Sequence, residues 1–271
     1  MYGGQAFHTI IDGFSESGYD IYSKVLDSFD YGVPQHRQRV IIVGTRMDRS
    51  FSFPEPSSKK IGSLIPRHTV GEAINDLLNK DEKFPNHLAL NHTETVIKRY
   101  KLIKEGGKLP PPEELPKEIR RKNFGSTYQR LNSKTPSMTL VPGNNAFPVH
   151  PTLNRSLTPR EAARIQSFPD DHILAGTRRK QCILVGNAVA PLLAANLGLE
   201  IKKHLFDKAY PSNNIDLVKK RGFLDLTKPR DILDKIKYKK NAPTYIDLFS
   251  GAGGISIGLA QAGLKPLISA D

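Results

Sequence analysis

Thr244-Tyr-Ile-Asp-Leu-Phe-Ser-Gly-Ala-Gly-Gly254 runs into an apolar stretch ending at Ala262, and Leu267-Ile-Ser-Ala270 follows. A strand, a glycine-rich turn and a helix in that order aim backbone N–H groups and a helix N-terminus at one point, the arrangement by which an α/β sheet holds an adenosine-type cofactor. An acid about 20 positions on suits ribose hydroxyls, and Asp271 stands twenty residues after Gly251. Ser256 occupies the last position of the Gly-x-Gly-x-x-Gly dinucleotide pattern, which counts against a nicotinamide-dependent enzyme. An ordinary tight turn between strand and helix is the plainer alternative. Such a unit normally opens its domain, yet here it follows 243 other residues.

With 271 residues and 38% hydrophobic side chains, the chain can form one large or two modest domains with real cores. Forty Lys and Arg against twenty-seven Asp and Glu give +13 and a pI near 9.7, which suits a polyphosphate partner, with plain solubility as the alternative. Residues 201–240 hold twelve Lys or Arg and five Asp, whereas 241–271 are slightly acidic. No apolar run approaches the roughly 20 residues that span a bilayer, and the first residues carry no basic region or cleavage signal, so the composition predicts a soluble cytoplasmic protein. The lone Cys182 excludes an internal disulfide and a multi-Cys zinc site. In the apolar run Gln181-Cys-Ile-Leu-Val185, without an adjacent His, it reads as a buried small hydrophobe rather than a nucleophile.

Phe7, Ile10, Ile11 and Phe14 predict a helix over 5–17 that stops at Gly18. Strands are expected at 19–26 and 39–44, joined by a loop containing Pro34. Residues 47–150 turn to Pro, Gly, Ser and charge, including Leu109-Pro-Pro-Pro112, with a helix only at 69–78, capped by Thr69 and Glu72. Thr158-Pro-Arg-Glu161 is a capping box with Pro at the first helical position, opening a helix over 158–168 that ends before Pro169. A further apolar helix is expected from about Pro191 to Leu205, and the basic segment 206–243 reads as a partly ordered linker.

Four stretches carry a family resemblance. They are Tyr31-Gly-Val-Pro-Gln-His-Arg-Gln-Arg39, Arg155-Ser-Leu-Thr-Pro-Arg-Glu-Ala-Ala-Arg-Ile-Gln-Ser-Phe-Pro-Asp170, Gly186-Asn-Ala-Val-Ala-Pro-Leu-Leu193 and the glycine turn. Together they resemble the DNA cytosine-5 methyltransferase family over nearly the whole chain, weakly at 47–120 and 206–243. The resemblance implies a partial Rossmann-like α/β methyltransferase domain, its central strands missing, with a small irregular target-recognition domain. Residues 1–46 and 178–271 would form the two parts of the first, and 47–177 the second. S-adenosyl-L-methionine is the implied cofactor, held by Phe249, Ser250, Gly251, Ala252 and Gly254, with Asp271 on its ribose and Asn187, Ala188 and Val189 packing on the same pocket. Ala188 stands where the family often has Ser. Gln35, Arg37 and Arg39 resemble the catalytic element that reaches the extruded cytosine and its phosphate, where a guanidinium offers a planar fork of donors. Tyr128, Gln129 and Arg130, with Thr139 and Leu140, fall where the recognition domain meets double-stranded DNA, and a structural role is the alternative there. Arg160, Glu161 and Arg164 are expected to be structural, bracing the recognition domain.

The family's Pro-Cys nucleophile and Glu-Asn-Val acid have no counterpart, since Cys182 follows Gln and no Glu-Asn occurs. The order of motifs resembles a circularly permuted, split enzyme of restriction–modification type, inactive alone, whose partner subunit carries those two motifs and the strands between the two sheet fragments. The rival reading is a non-catalytic DNA-binding module or a truncated methyltransferase remnant.

Overall fold

A computed structural model describes residues 5–121, 125–141, 147–206, 236–248 and 250–270. Helix α1 (Gln5–Glu16) ends where Gly18 adopts a left-handed φ of 78°, and the chain turns into strand β1 (Asp20–Asp27). The stripe Phe7, Ile10 and Phe14 that predicts this helix stays exposed, although Phe14 meets the Tyr19 ring edge-on. Strand β2 (Gln38–Thr45) pairs antiparallel with β1, with Leu26 opposite Arg39. Asp27 shapes the connection: its Oδ1 accepts from Phe29 N at 3.1 Å and Arg37 N at 2.9 Å, which fixes the backbone on both sides of the Pro34 loop.

The second sheet comes from the opening stretch of the sequence analysis. Strand β3 (Thr244–Leu248) and strand β4 (Lys265–Ala270) run parallel, joined through helix α7 (Gly254–Gln261). The two sheets have two strands each, and no described strand bridges them. Val25, Val40, Ile246, Leu248 and Leu267 stay exposed on these strands, so the expected fragments with uncovered apolar surface are what the chain forms. The segment read as a linker, 206–243, lies largely outside the described residues.

Helices carry the core. Helix α2 (Val70–Ile74) is shorter than the helix expected over 69–78 and continues as a 3-10 turn, Asn75–Asn79. Thr69 Oγ1 accepts from Glu72 N, while the Glu72 carboxylate accepts from His68 N rather than Thr69 N. Helix α3 (Glu94–Lys101) arises in the stretch read as irregular, and helix α5 (Arg178–Asn187) joins a basic start to the apolar run Gln181–Val185; the sequence reading predicts neither helix. Helix α4 (Pro159–Ile165) has the full capping box of Thr158 and Glu161, and helix α6 (Pro191–Phe206) follows α5.

Ala162 and Ile165 of α4, Cys182 and Val185 of α5, Leu192 and Leu193 of α6, and Ile257 and Ala260 of α7 share one core with Val70, Ile74 and Leu77. A smaller cluster holds Tyr100, Ile103, Leu109, Leu115, Ile119, Tyr128 and Val149. Buried residues of α2 and α4 belong to this large core, with α2 packed on α4 and α4 on α5. No single described helix is long and apolar enough to cross a membrane.

Helices α6 and α7 approach through small residues. A Cβ on Gly258 would overlap Ala194 and lie 2.5 Å from Pro191 O, and one on Gly198 would lie 2.9 Å from the Ala262 methyl. This contact seats the β3–α7 unit on the rest of the chain.

Candidate functional site

Three stretches far apart in sequence meet beside α5 and α6. Helix α5 stops at Asn187 because Ala188 takes an extended backbone, φ −63° and ψ 155°, and Pro191 starts α6 without an N–H. Carbonyls at a helix C-terminus lack intrahelical partners. Here Gly186 O accepts from Arg37 Nη2 at 2.9 Å, and Val185 O from Gln166 Nε2 at 2.6 Å. Asn187 is exposed, Ala188 buried and Val189 half-buried.

The glycine turn closes on this loop. Gly253 N donates to Ser250 O at 2.7 Å, and Gly251 and Gly253 have left-handed φ of 51° and 73°, which only glycine adopts without strain. Ala252 is buried, and Gly254 lies so close that a Cβ on it would overlap Val189 O. Ser256, where the dinucleotide pattern has Gly, donates its hydroxyl to Asp247 Oδ2 at 2.5 Å. Gly254 is thus brought against Val189, with Ser250, Gly251 and Ala252 in the turn that precedes it; Phe249 and Asp271 lie outside the described residues. A ligand anion fits this turn on two grounds. No side chain caps the N-terminus of α7, and the space a Cβ of Gly251 would enter is open for 4 Å.

Gln35, Arg37 and Arg39 line one side of the chain entering β2, but at unequal depth. Gln35 is buried and its Nε2 reaches Ser137 Oγ at 3.4 Å. Arg37, 1% exposed, is turned inward onto Gly186 O, with Nε and Nη1 unpartnered. Burial first, and the Arg39 charge second, push its pKa down to about 10. Only Arg39 remains half-exposed, bonding locally to Gln38 O at 2.6 Å. Of the two arginines expected to face a nucleic acid, Arg37 is buried and Arg39 is the accessible one.

The expected DNA contacts need a larger correction. Arg130 is buried, and each of its five N–H groups has an acceptor: Nε on Ile103 O, Nη1 on His150 O and Leu153 O, and Nη2 on Tyr100 O and Asn154 Oδ1, all at 2.7–2.8 Å. No donor is left for a base or phosphate. Tyr128 is buried too, its hydroxyl accepting from Arg99 at 3.2 Å and Arg121 at 3.4 Å. Gln129 is half-buried with Nε2 3.5 Å from Met138 Sδ.

The α4 arginines and glutamate are structural, as the sequence suggests. Arg160 donates to Pro85 O, Pro169 O and His172 O, and Arg164 holds both oxygens of Asp170 at 2.7 Å. Glu161, fully buried, takes a two-pronged bond from Arg155 at 2.8 and 2.6 Å. Burial opposes its ionisation, but the Arg155 pair outweighs that and holds its pKa below the ordinary carboxylate value.

His150 sits beside it. Its Nδ1 accepts from Thr152 N and Leu153 N, so Nε2 carries the proton, 3.7 Å from Glu161 Oε1 and too far for a hydrogen bond. Burial dominates and pushes its pKa down to about 4. An unfolded His takes up a proton below about 6.5, while the folded one refuses it until about 4. Stability is therefore expected to fall as pH drops through that window, by up to about 3 kcal/mol from this residue. Urea unfolding at pH 7 and pH 4.5 measures it; an equal difference in His150→Gln would remove His150 as its source.

Comparison with known proteins assigns the class to which the chain belongs. Residues 1–203 match the profile of the C-5 cytosine-specific DNA methylase family. The chain is 35% identical over 205 residues to the Type II methyltransferase M1.HphI of Haemophilus parahaemolyticus, covering 74% of this chain and 52% of that one. It is 34% identical over 194 residues to M.NgoFVII of Neisseria gonorrhoeae, covering 69% and 51%. A solved structure assigned as a DNA modification methyltransferase encoded within a prophage (E. coli) superposes with a TM-score of 0.52 at 22% identity, covering 76% of this chain and 67% of that one, and so shares the fold. The chain belongs to the C-5 cytosine-specific DNA methylase family. It spans about half the length of the curated relatives it matches.

Sequence reasoning assigns no role to the side chains of Gln166, Ser167 and His172, which bond to the elements around the loop and turn. Nothing in Gln-Ser-Phe-Pro-Asp-Asp-His signals those bonds.

Proposed function

We propose that this chain is the target-recognition and cofactor-loop part of a circularly permuted DNA cytosine-5 methyltransferase of restriction–modification type, completed by a second polypeptide. The observation that carries the reading is the close approach of Gly254 to Val189, with α7 against α6: a unit late in the sequence packs on the loop that follows α5. The uncovered β2 and β3 sides are where the strands of a Rossmann-like sheet supplied by the partner would pair, and that partner brings the thiol and the carboxylate.

Bound S-adenosyl-L-methionine supplies an electrophilic methyl group. The turn's N–H groups and Asn187, Ala188 and Val189 hold and orient it, with Phe249 and Asp271 adding the contacts the family resemblance gives them. Arg39, the half-exposed member of its element, binds the extruded base or its phosphate, and the net charge of +13 draws double-stranded DNA. The cluster of Tyr100, Ile103, Leu109, Leu115, Ile119, Tyr128 and Val149 gives the recognition unit a core of its own.

Co-expressing the chain with a candidate polypeptide that carries Pro-Cys and Glu-Asn-Val tests the reading through methyl transfer to cytosine C5. Transfer only by the pair is expected, and full transfer by this chain alone overturns it. In that pair, Cys182→Ser is expected to keep turnover while losing about 1–2 kcal/mol of stability. The thiol is fully buried in α5, burial raises its pKa, and no base adjoins it. A folded Cys182→Ser variant that binds cofactor but cannot transfer would identify it as the nucleophile after all.

A further inference from the structure

Residues 166–172 leave helix α4 and bond to three separate elements. Gln166 Nε2 donates to Val185 O at 2.6 Å at the end of α5. Ser167 Oγ accepts from Leu192 N at 3.1 Å, meeting one of the N-terminal donors of α6 that has no intrahelical partner. His172 Nε2 donates to Ala252 O at 2.8 Å in the glycine turn, and its own carbonyl is held by Arg160 Nη2 at 2.7 Å. The first two bonds fall on either side of residues 187–190, and the third falls in the turn that faces them.

The segment is built to hold that shape. Ser167 has φ 64°, a left-handed conformation unusual outside glycine, and such conformations persist where surrounding bonds over-determine them. The His172 ring stacks on Phe168, centroids 5.3 Å apart and planes 25° apart, and Phe168 Cζ would lie 3.2 Å from a Cβ on Gly254. His172 is 2% exposed, so solvent does not compete for its Nε2. The family resemblance gives 155–170 the task of bracing a recognition domain; Gln166, Ser167 and His172 bond instead to α5, α6 and the glycine turn.

We infer that residues 166–172 are a clasp that sets the distance between the two halves of the cofactor pocket, with His172 the positioning residue for the glycine turn. The inference rests on the reading that loop 187–189 and turn 250–254 form that pocket. His172 touches the turn's backbone and no reacting atom. It acts on affinity for the cofactor through Ala252 and leaves the chemistry to other groups.

Two measurements separate the clasp from the pocket. Amide hydrogen exchange on the full chain alone needs no partner: His172→Leu, which keeps an apolar body against Phe168, is expected to speed exchange at Gly253 and Ile257 about tenfold, the worth of one net hydrogen bond, while Leu109 and Leu131 exchange as before. His172→Gln, whose amide can donate to the same carbonyl, is expected to restore slow exchange. Unchanged exchange in His172→Leu overturns the clasp, and so does equal acceleration of Leu109 and Leu131, since that reports general unfolding. In the complemented enzyme, His172→Leu is expected to raise KM for S-adenosyl-L-methionine about tenfold with kcat and KM for DNA little changed, and His172→Gln to reverse it. A fall in kcat alone overturns the positioning role. Should the wild-type pair bind no S-adenosyl-L-methionine, the pocket reading fails, and the exchange result still decides whether the clasp exists.

Discussion

Gly258→Val is expected to detach the β3–α7 unit from the rest of the chain and to abolish methyl transfer in the complemented enzyme. Even a bare Cβ at this position overlaps the Ala194 methyl and lies 2.5 Å from Pro191 O and 2.6 Å from Ala195 N. Two of those three atoms are backbone of α6, whose retreat would disturb the fully buried Leu192 and Leu193 on the same turns. Overpacking of a well-filled core costs roughly 1–3 kcal/mol where side chains can adjust. Here backbone must move, so about 3 kcal/mol or more is expected. Gly13→Ala is the matched control: Gly13 lies in α1 with nothing within 4 Å, and alanine there should gain about 0.5–1 kcal/mol of helix stability. Urea midpoints and methyl transfer by the complemented variants decide it. Wild-type stability and turnover in Gly258→Val would show that α6 and α7 are not in contact and would remove the main support for a shared pocket.

What could be read from the sequence was local. The capping box Thr158-Pro-Arg-Glu161 forms as its spacing predicts, since both partners lie within one turn of helix. The strands around Pro34 and the strand–turn–helix at 244–262 likewise follow from alternation, glycine and apolar period over fewer than twenty residues. Helix α5 was not legible because Arg178-Arg-Lys-Gln181 masks any apolar face, and only packing of Cys182 and Val185 reveals which side is inward. Helix α3 is likewise strongly charged, and its single fully buried residue, Tyr100, belongs to the small cluster. The candidate site was half legible. Its glycine turn and its loop could each be found as motifs, but the bonds from Arg37 to Gly186 and from His172 to Ala252 span 149 and 80 residues. No pattern in a single chain announces a side chain whose partner is a backbone carbonyl that far away.

Arg130 tests the same limit with the second large effect. Read from sequence, Gln-Arg in a basic region suggests a guanidinium offered to DNA. In the structure it closes the small cluster: Arg130 pairs with Val149 in a strand-like bridge, and its side chain donates to the carbonyls of Tyr100, Ile103, His150 and Leu153. No carboxylate pairs with it; five acceptors share one charge, and burial lowers its pKa. Arg130→Met is expected to destabilise the chain by roughly 3–5 kcal/mol, since several buried acceptors would lose their donors at once. Arg130→Lys should recover little, because an ammonium has three donors and no planar fork. Residues around Tyr100 and Ile103 should lose exchange protection first. A phosphate contact makes the opposite forecast: unfolding unchanged, and a salt dependence of DNA binding smaller by about one counterion in the complemented enzyme. A stable Arg130→Met chain with that weaker salt dependence would return Arg130 to the DNA-facing surface, and the base-reading residues would then be sought beside it rather than among the exposed groups around residues 94–121.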